Sequence, residues 1–347
     1  MFYVTFHSIG NVWVYDDTGK QTTTALLATP SCAPALSELR GMTFGPHGYL
    51  YVCYGYKTSS QVLVYVGGGG SNAGYAFIGI YADPTVSAGL AHPFSVAFDS
   101  DNNAYVSSQD TNVVTALTPP ATGQPCDATP TPPPYSKATP LAVASYLQGL
   151  KLGTFLPGTF VASAYGALNG VTPAPPNVSP PQGLEVSPPT GPAANSVRDV
   201  LVYDGSLYVV DEPGNAVKIY ALATGQLMGQ IPDPGSTSPV GLTSPVHLLP
   251  YQGRLYISNA TSVLVYDLDT KTLSAFLSNL SSPAGMAFDS SGNFYFADRN
   301  GQVIYQSAYD AQNKQFGTPA VFIPKYDKKH APDGLQDDPE FLLFVAG

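Results

Sequence analysis

The chain has 347 residues, including 34 glycines, 33 prolines and 23 tyrosines, and only 11% of it is charged. Such a mix favours turns and strands over helices, in a chain long enough to bury a substantial core. A net charge of −10 with only 14 Lys plus Arg leaves no basic surface to neutralise phosphates, which argues against nucleic acid, and no apolar run approaches the ~18 residues of a membrane span.

In chain order, strand-like segments recur with one layout. 1-MFYVTFHS-8 is followed by VWVY ending at Tyr15, GYLYVCYG by VLVY ending at Tyr65, and NAYVSSQD by the weaker VVTA. SLYVVDEP then leads to VKIY, RLYISNAT to VLVY and NFYFADRN to QVIY. A tyrosine column runs through all six: Tyr3, Tyr51, Tyr105, Tyr208, Tyr256 and Tyr295. Five copies are preceded by an apolar run ending in a turn, such as 95-SVAFDSDN-102 or 284-AGMAFDSSG-292. For the first copy that run lies at the far end of the chain, in 339-PEFLLFVAG-347.

Three or four short antiparallel strands per unit cannot remain alone in water with both faces apolar, and radial packing of like sheets covers both. The pattern predicts an all-β, single-domain, six-bladed β-propeller. Its blades are centred near 1–28 plus 332–347, 36–86, 92–165, 196–240, 244–280 and 282–325. The C-terminal strand completes the N-terminal sheet, which closes the circle and removes loose edges.

The insertion at about 118–195 carries 17 of the 33 prolines and reads as loop. Within it, 153-GTFLPGTFVASAYG-166 is either the outer strand of the third blade or part of a seventh blade.

The unit 283-PAGMAFDSSGNFYFADRNGQVIYQ-306 resembles an NHL repeat, and the wider group it is similar to includes virginiamycin B lyase and the gluconolactonase and paraoxonase-like propellers. The resemblance implies the fold; activity on a propeller is carried by its site. A lyase of that kind implies a histidine acid or base with a metal-polarised carbonyl, and gluconolactonases imply a calcium or zinc site of Glu and Asn/Asp with one ligand after Pro-Asn-Gly. The chain has no Pro-Asn-Gly and no full lyase pattern.

In a propeller, second-strand ends and first-strand entries open on the same face around the channel. That geometry predicts a ligand-binding rim of Arg40, Tyr54, Gln109, Arg198, Asp199 and Arg299, with Phe6 and Tyr56 as further aromatic candidates. His247 is the catalytic candidate, a histidine being the usual acid or base near neutral pH, with a structural channel histidine as the other reading. Asp211, Asn259 and Asp298 share one register in three consecutive blades. They are either oxygen ligands for Ca²⁺ or Mg²⁺ or caps of the loops that follow.

Cys53 falls in an apolar strand, and Cys32 and Cys126 lie in proline-flanked loops that an oxidising compartment could join. The low lysine content suits an extracellular or cell-surface location, with no signal peptide in this numbering. The expected role is a binding or assembly module, without cofactor, for a protein or glycan partner or for self-assembly. The alternative is a metal-dependent lyase or hydrolase working in the channel.

Overall fold

The computed structural model describes residues 1–28, 36–55, 60–67, 74–83, 90–110, 113–117, 197–222, 227–235 and 240–346. Among them are six antiparallel sheets arranged as a six-bladed β-propeller, with no α-helix. Blade 1 is made from both chain ends: Pro339–Phe344 is innermost, followed by Phe2–Phe6, Trp13–Tyr15 and Gln21–Thr23. Blades 2 to 6 begin with the inner strands Leu39–Phe44, Pro93–Phe98, Val197–Tyr203, Leu248–Tyr251 and Pro283–Phe288. Three strands of blade 3 are described; the segment 153–166, Tyr56, Cys32 and Cys126 lie outside the described residues.

Ring closure runs in the expected register. Phe2 faces Phe344, Val4 faces Leu342, and the Met1 and Val345 backbones exchange hydrogen bonds of 2.9 Å. Phe2 also packs on Tyr295 of blade 6 at 4.4 Å and on Phe344 at 5.1 Å, so the closing strand is held by side chains as well as by backbone.

The core is not one mass but six inter-blade clusters. Residues that alternate along each strand present one apolar set to the preceding blade and another to the next, which is why neither face is polar. Tyr105, Val114 and Ala116 of blade 3 pack directly against Val197, Val200 and Leu207 of blade 4. No seventh blade therefore stands between them, and the seven-blade alternative falls.

The tyrosine column has a local cause in two blades. Asp99 accepts the backbone N–H groups of Asp101 and Asn103 and the Tyr105 hydroxyl at 3.1 Å; Asp289 does the same for Ser291, Asn293 and the Tyr295 hydroxyl at 3.0 Å. Each turn is closed by an aspartate, an Asx arrangement, and the next strand's tyrosine is tied to it. The turn needs a left-handed residue, supplied by Asn102 (φ 64°) in one blade and Gly292 (φ 84°) in the other.

Candidate functional site: the channel mouth

A bulge recurs where each inner strand enters from the upper face. Pairing shifts between Leu39 and Met42, Pro93 and Val96, Val197 and Val200, and Pro283 and Met286, and blade 1 has the same irregularity opposite Pro339. A bulge places two residues against one and re-aims a side chain. Arg40, Phe94, Arg198, Ala284 and Glu340 occupy its first position. Three of these are charged, and the next strand ends deliver their partners.

The mouth carries two ion-paired groups. Arg40 Nη1 is 2.8 Å from Glu340 Oε1, and its Nη2 donates to Glu38 Oε1. His92 Nε2 is 3.1 Å from Glu38 and 3.2 Å from Arg40 Nη2, while His92 Nδ1 is 3.4 Å from Asp110. Arg299 lies 3.7 Å from the other oxygen of Glu340, which accepts no hydrogen bond. On the far side Arg198 bonds Glu212 at 2.7 Å and the Gln109 carbonyl at 2.5 Å, with its guanidinium 5.1 Å over the Phe94 ring. Arg40 and Glu340 are each only 4% exposed, against 25% for Arg299. His92 is held in a left-handed conformation (φ 54°) against Gly55, where a Cβ would come within 2.6 Å of its ring.

Below these groups the channel is plugged. The second bulge positions bring together Gly41, Ser95, Asp199, His247, Gly285 and Phe341, and the Phe341 ring stands edge-on to His247 at 4.4 Å. A Cβ on Gly285 would lie 2.5 Å from Leu342 N and 2.7 Å from Phe341 Cα, and one on Gly41 would meet Phe94 O at 2.6 Å before the Phe341 ring at 3.4 Å, so both glycines permit the close approach of neighbouring inner strands.

Several rim expectations change. Tyr54 and Phe6 are fully buried in inter-blade clusters and present nothing to a ligand: the strand's alternation sends them sideways, not into the channel. Asp199 is likewise not a rim group. Its Oδ1 accepts from Val200 N at 2.9 Å and its Oδ2 from Leu248 N at 2.8 Å, so it clamps blade 4 to blade 5. Arg40, Gln109, Arg198 and Arg299 do converge at the mouth.

His247 is 3% exposed, with Nε2 3.4 Å from Asp199 Oδ2 and Nδ1 without a hydrogen-bond partner. Burial lowers its pKa, opposed by the Asp199 charge, and keeps the ring neutral beneath Phe341. Burial pushes the Cys53 thiol up, which makes it an inert core group.

Asp211, Asn259 and Asp298 each cap a loop. Their side-chain oxygens accept from Gly214 N at 2.9 Å, Thr243 N at 2.5 Å and Gly301 N at 3.0 Å. Among the described residues no group of three His, Cys, Asp or Glu is placed to hold a metal. At the mouth Glu38 and Glu340 are both paired with the Arg40 guanidinium, a cation that already neutralises the two carboxylates a divalent ion would draw on there.

Glu38 of the mouth and Phe341 below it escaped the sequence reading. Glu38 lies one residue before the strand entry and carries no motif, and Phe341 looked like any strand residue; only its column, shared with His247 and Asp199, could have marked it.

Comparison with known proteins fits this architecture. Residues 253–347 match the SMP-30/Gluconolactonase/LRE-like region. No curated protein matches the sequence with significance. Among solved structures, the nidogen/laminin complex aligns at 10% identity and TM-score 0.53, covering 99% of this chain and 97% of that one. A putative 6-phosphogluconolactonase from Bacteroides fragilis aligns at 14% identity and TM-score 0.53, covering 99% and 97%. The periplasmic gluconolactonase PpgL of Pseudomonas aeruginosa aligns at 13% identity and TM-score 0.50, covering 99% and 98%. In fold, the chain is a six-bladed β-propeller, and its residues 253–347 are similar to the SMP-30/Gluconolactonase/LRE-like region.

Proposed function

We propose that the protein is a binding module whose channel mouth takes a polyhydroxylated ligand, a glycan, at a site where its own arginine stands in for a metal ion. The observation that carries this reading is the placement of Arg40 between Glu38 and Glu340. With the carboxylates neutralised and the channel stoppered by Phe341, the mouth offers a near-neutral array of alternating donors and acceptors. Vicinal hydroxyl groups both donate and accept, so they can join such an array without breaking an ion pair, whereas a charged ligand would have to displace one. Arg299, Arg198, Glu212 and Asp110 are the accessible members.

The protein acts outside the cytoplasm in this reading, supported by a composition in which only 11% of residues are charged. A test is binding of a panel of neutral oligosaccharides to the protein and to Arg299→Ala. Saturable binding that weakens at least tenfold in the variant is expected; no binding, or equal binding to both, would overturn the reading.

A second reading, a lactonase-type hydrolase, is supported by the SMP-30/Gluconolactonase/LRE-like match. Turnover of δ-gluconolactone that chelators abolish would establish it in place of the first.

A further inference from the structure

Below the plug the channel changes character. The inner strands of all six blades form a cavity of about 340 Å³ that opens on the lower face, opposite the ion-paired groups. Its wall is the ring of Thr43, Ala97, Leu201, Leu249, Ala287 and Leu343. Phe44, Phe98, Phe288 and Phe344 surround the opening, and Phe341 with His247 forms the floor. The floor is closed from above by contact of those two rings at 4.4 Å.

The dimensions and chemistry narrow the occupant. From Phe341 to Phe344 the strand rises about 10 Å, so the well is deeper than a single side chain reaches. Its volume is at the small end of ligand sites and cannot admit a helix or strand. Thr43 is the one polar side chain in the wall ring, and the other polar side chains of the lining, Ser95, Asp199 and His247, are each only 3% exposed toward the floor. A ligand head must remain at the lower opening, and the net charge of −10 disfavours an anionic one.

We propose that the lower half of the channel is a binding site for a single unbranched aliphatic chain carrying an uncharged polar head, the chain inserted as far as Phe341. Binding of this kind scales with buried methylenes. Each added carbon raises affinity about fourfold, or about fifteenfold from hexanol to octanol, until the extended chain outgrows the depth of the well.

The experiment is calorimetric titration of the full chain with hexanol, octanol and decanol, and with decanoate. The expected result is one site, a rise in affinity with chain length that then levels off, and weaker binding of decanoate than of decanol. Ala97→Phe, which fills the well, abolishes binding. Leu249→Asn, which places a polar group on the wall without adding bulk, weakens octanol at least tenfold and provides the test if the first variant does not fold. Absence of octanol binding, affinity independent of chain length, or equal binding by both folded variants would overturn the proposal. So would capture on phosphatidylcholine vesicles with no uptake of free alkanols, because the occupant would then be a lipid surface.

Discussion

Replacing Arg40 with methionine isolates the charge at the mouth, since the methylene stem of the side chain is kept while the guanidinium is removed. Arg40 makes one ion pair at 2.8 Å with Glu340 and a closer one with Glu38, and both Arg40 and Glu340 are 4% exposed. Charge-assisted hydrogen bonds of this kind contribute about 1.5–3 kcal/mol each. Orphaning a buried charge costs about 3–5 kcal/mol, because Glu340 keeps only Arg299 at 3.7 Å. Arg40→Met is therefore expected to lose about 3–5 kcal/mol of stability in urea unfolding, read as a lower midpoint at unchanged slope. Glu340→Gln in the same chain removes the orphaned charge, so the double variant should fall short of the summed single losses by about 1–3 kcal/mol. A loss below about 0.5 kcal/mol, or strict additivity, would refute the view that Arg40 is the buried counter-ion of this mouth.

Other consequences follow from the plug and the closure. His247 is neutral in the fold because its pKa lies below the ordinary 6.5, so the unfolded chain binds the extra proton. Stability should fall as pH drops below about 6.5, with a slope approaching 1.4 kcal/mol per pH unit, and His247→Gln should remove that component of the slope. Gly285→Ala sets a Cβ 2.5 Å from Leu342 N and 2.7 Å from Phe341 Cα, and should cost about 1–3 kcal/mol by overpacking; an unchanged melting temperature would contradict the plug geometry. Val4→Cys with Leu342→Cys, a directly facing pair, should form a disulfide on mild oxidation, seen as a gel shift sensitive to reductant. Failure to cross-link would place the chain ends apart.

The ring itself was legible from sequence because it rests on repetition. Six tyrosine-centred copies, the first of them divided between the chain ends, leave few other ways to cover two-sided apolar sheets, and the blade limits follow from Gly/Asn turns such as 289-DSSGN-293. The mouth was legible in part. Arg40, Arg198 and Arg299 were placed by counting from strand ends, and that count holds because each blade enters the channel the same way. Tyr54, Phe6 and Asp199 were misplaced for one reason: strand alternation and the entry bulge decide whether a residue faces the channel, the neighbouring blade or the backbone, and neither register nor bulge is written in residue type. Glu38 became visible only when blade 2 stood beside blade 1 and Arg40 bridged the two carboxylates.

The most direct test is calorimetric titration of Ca²⁺ and Mn²⁺ into chelator-treated protein, beside Arg40→Ala. The unaltered protein should show no saturable site at the mouth, since Arg40 already stands between Glu38 and Glu340. In the variant, the vacated space among Glu38, His92 and Glu340 should acquire one. A stoichiometric divalent site in the unaltered protein that is lost in Glu340→Gln would contradict the account.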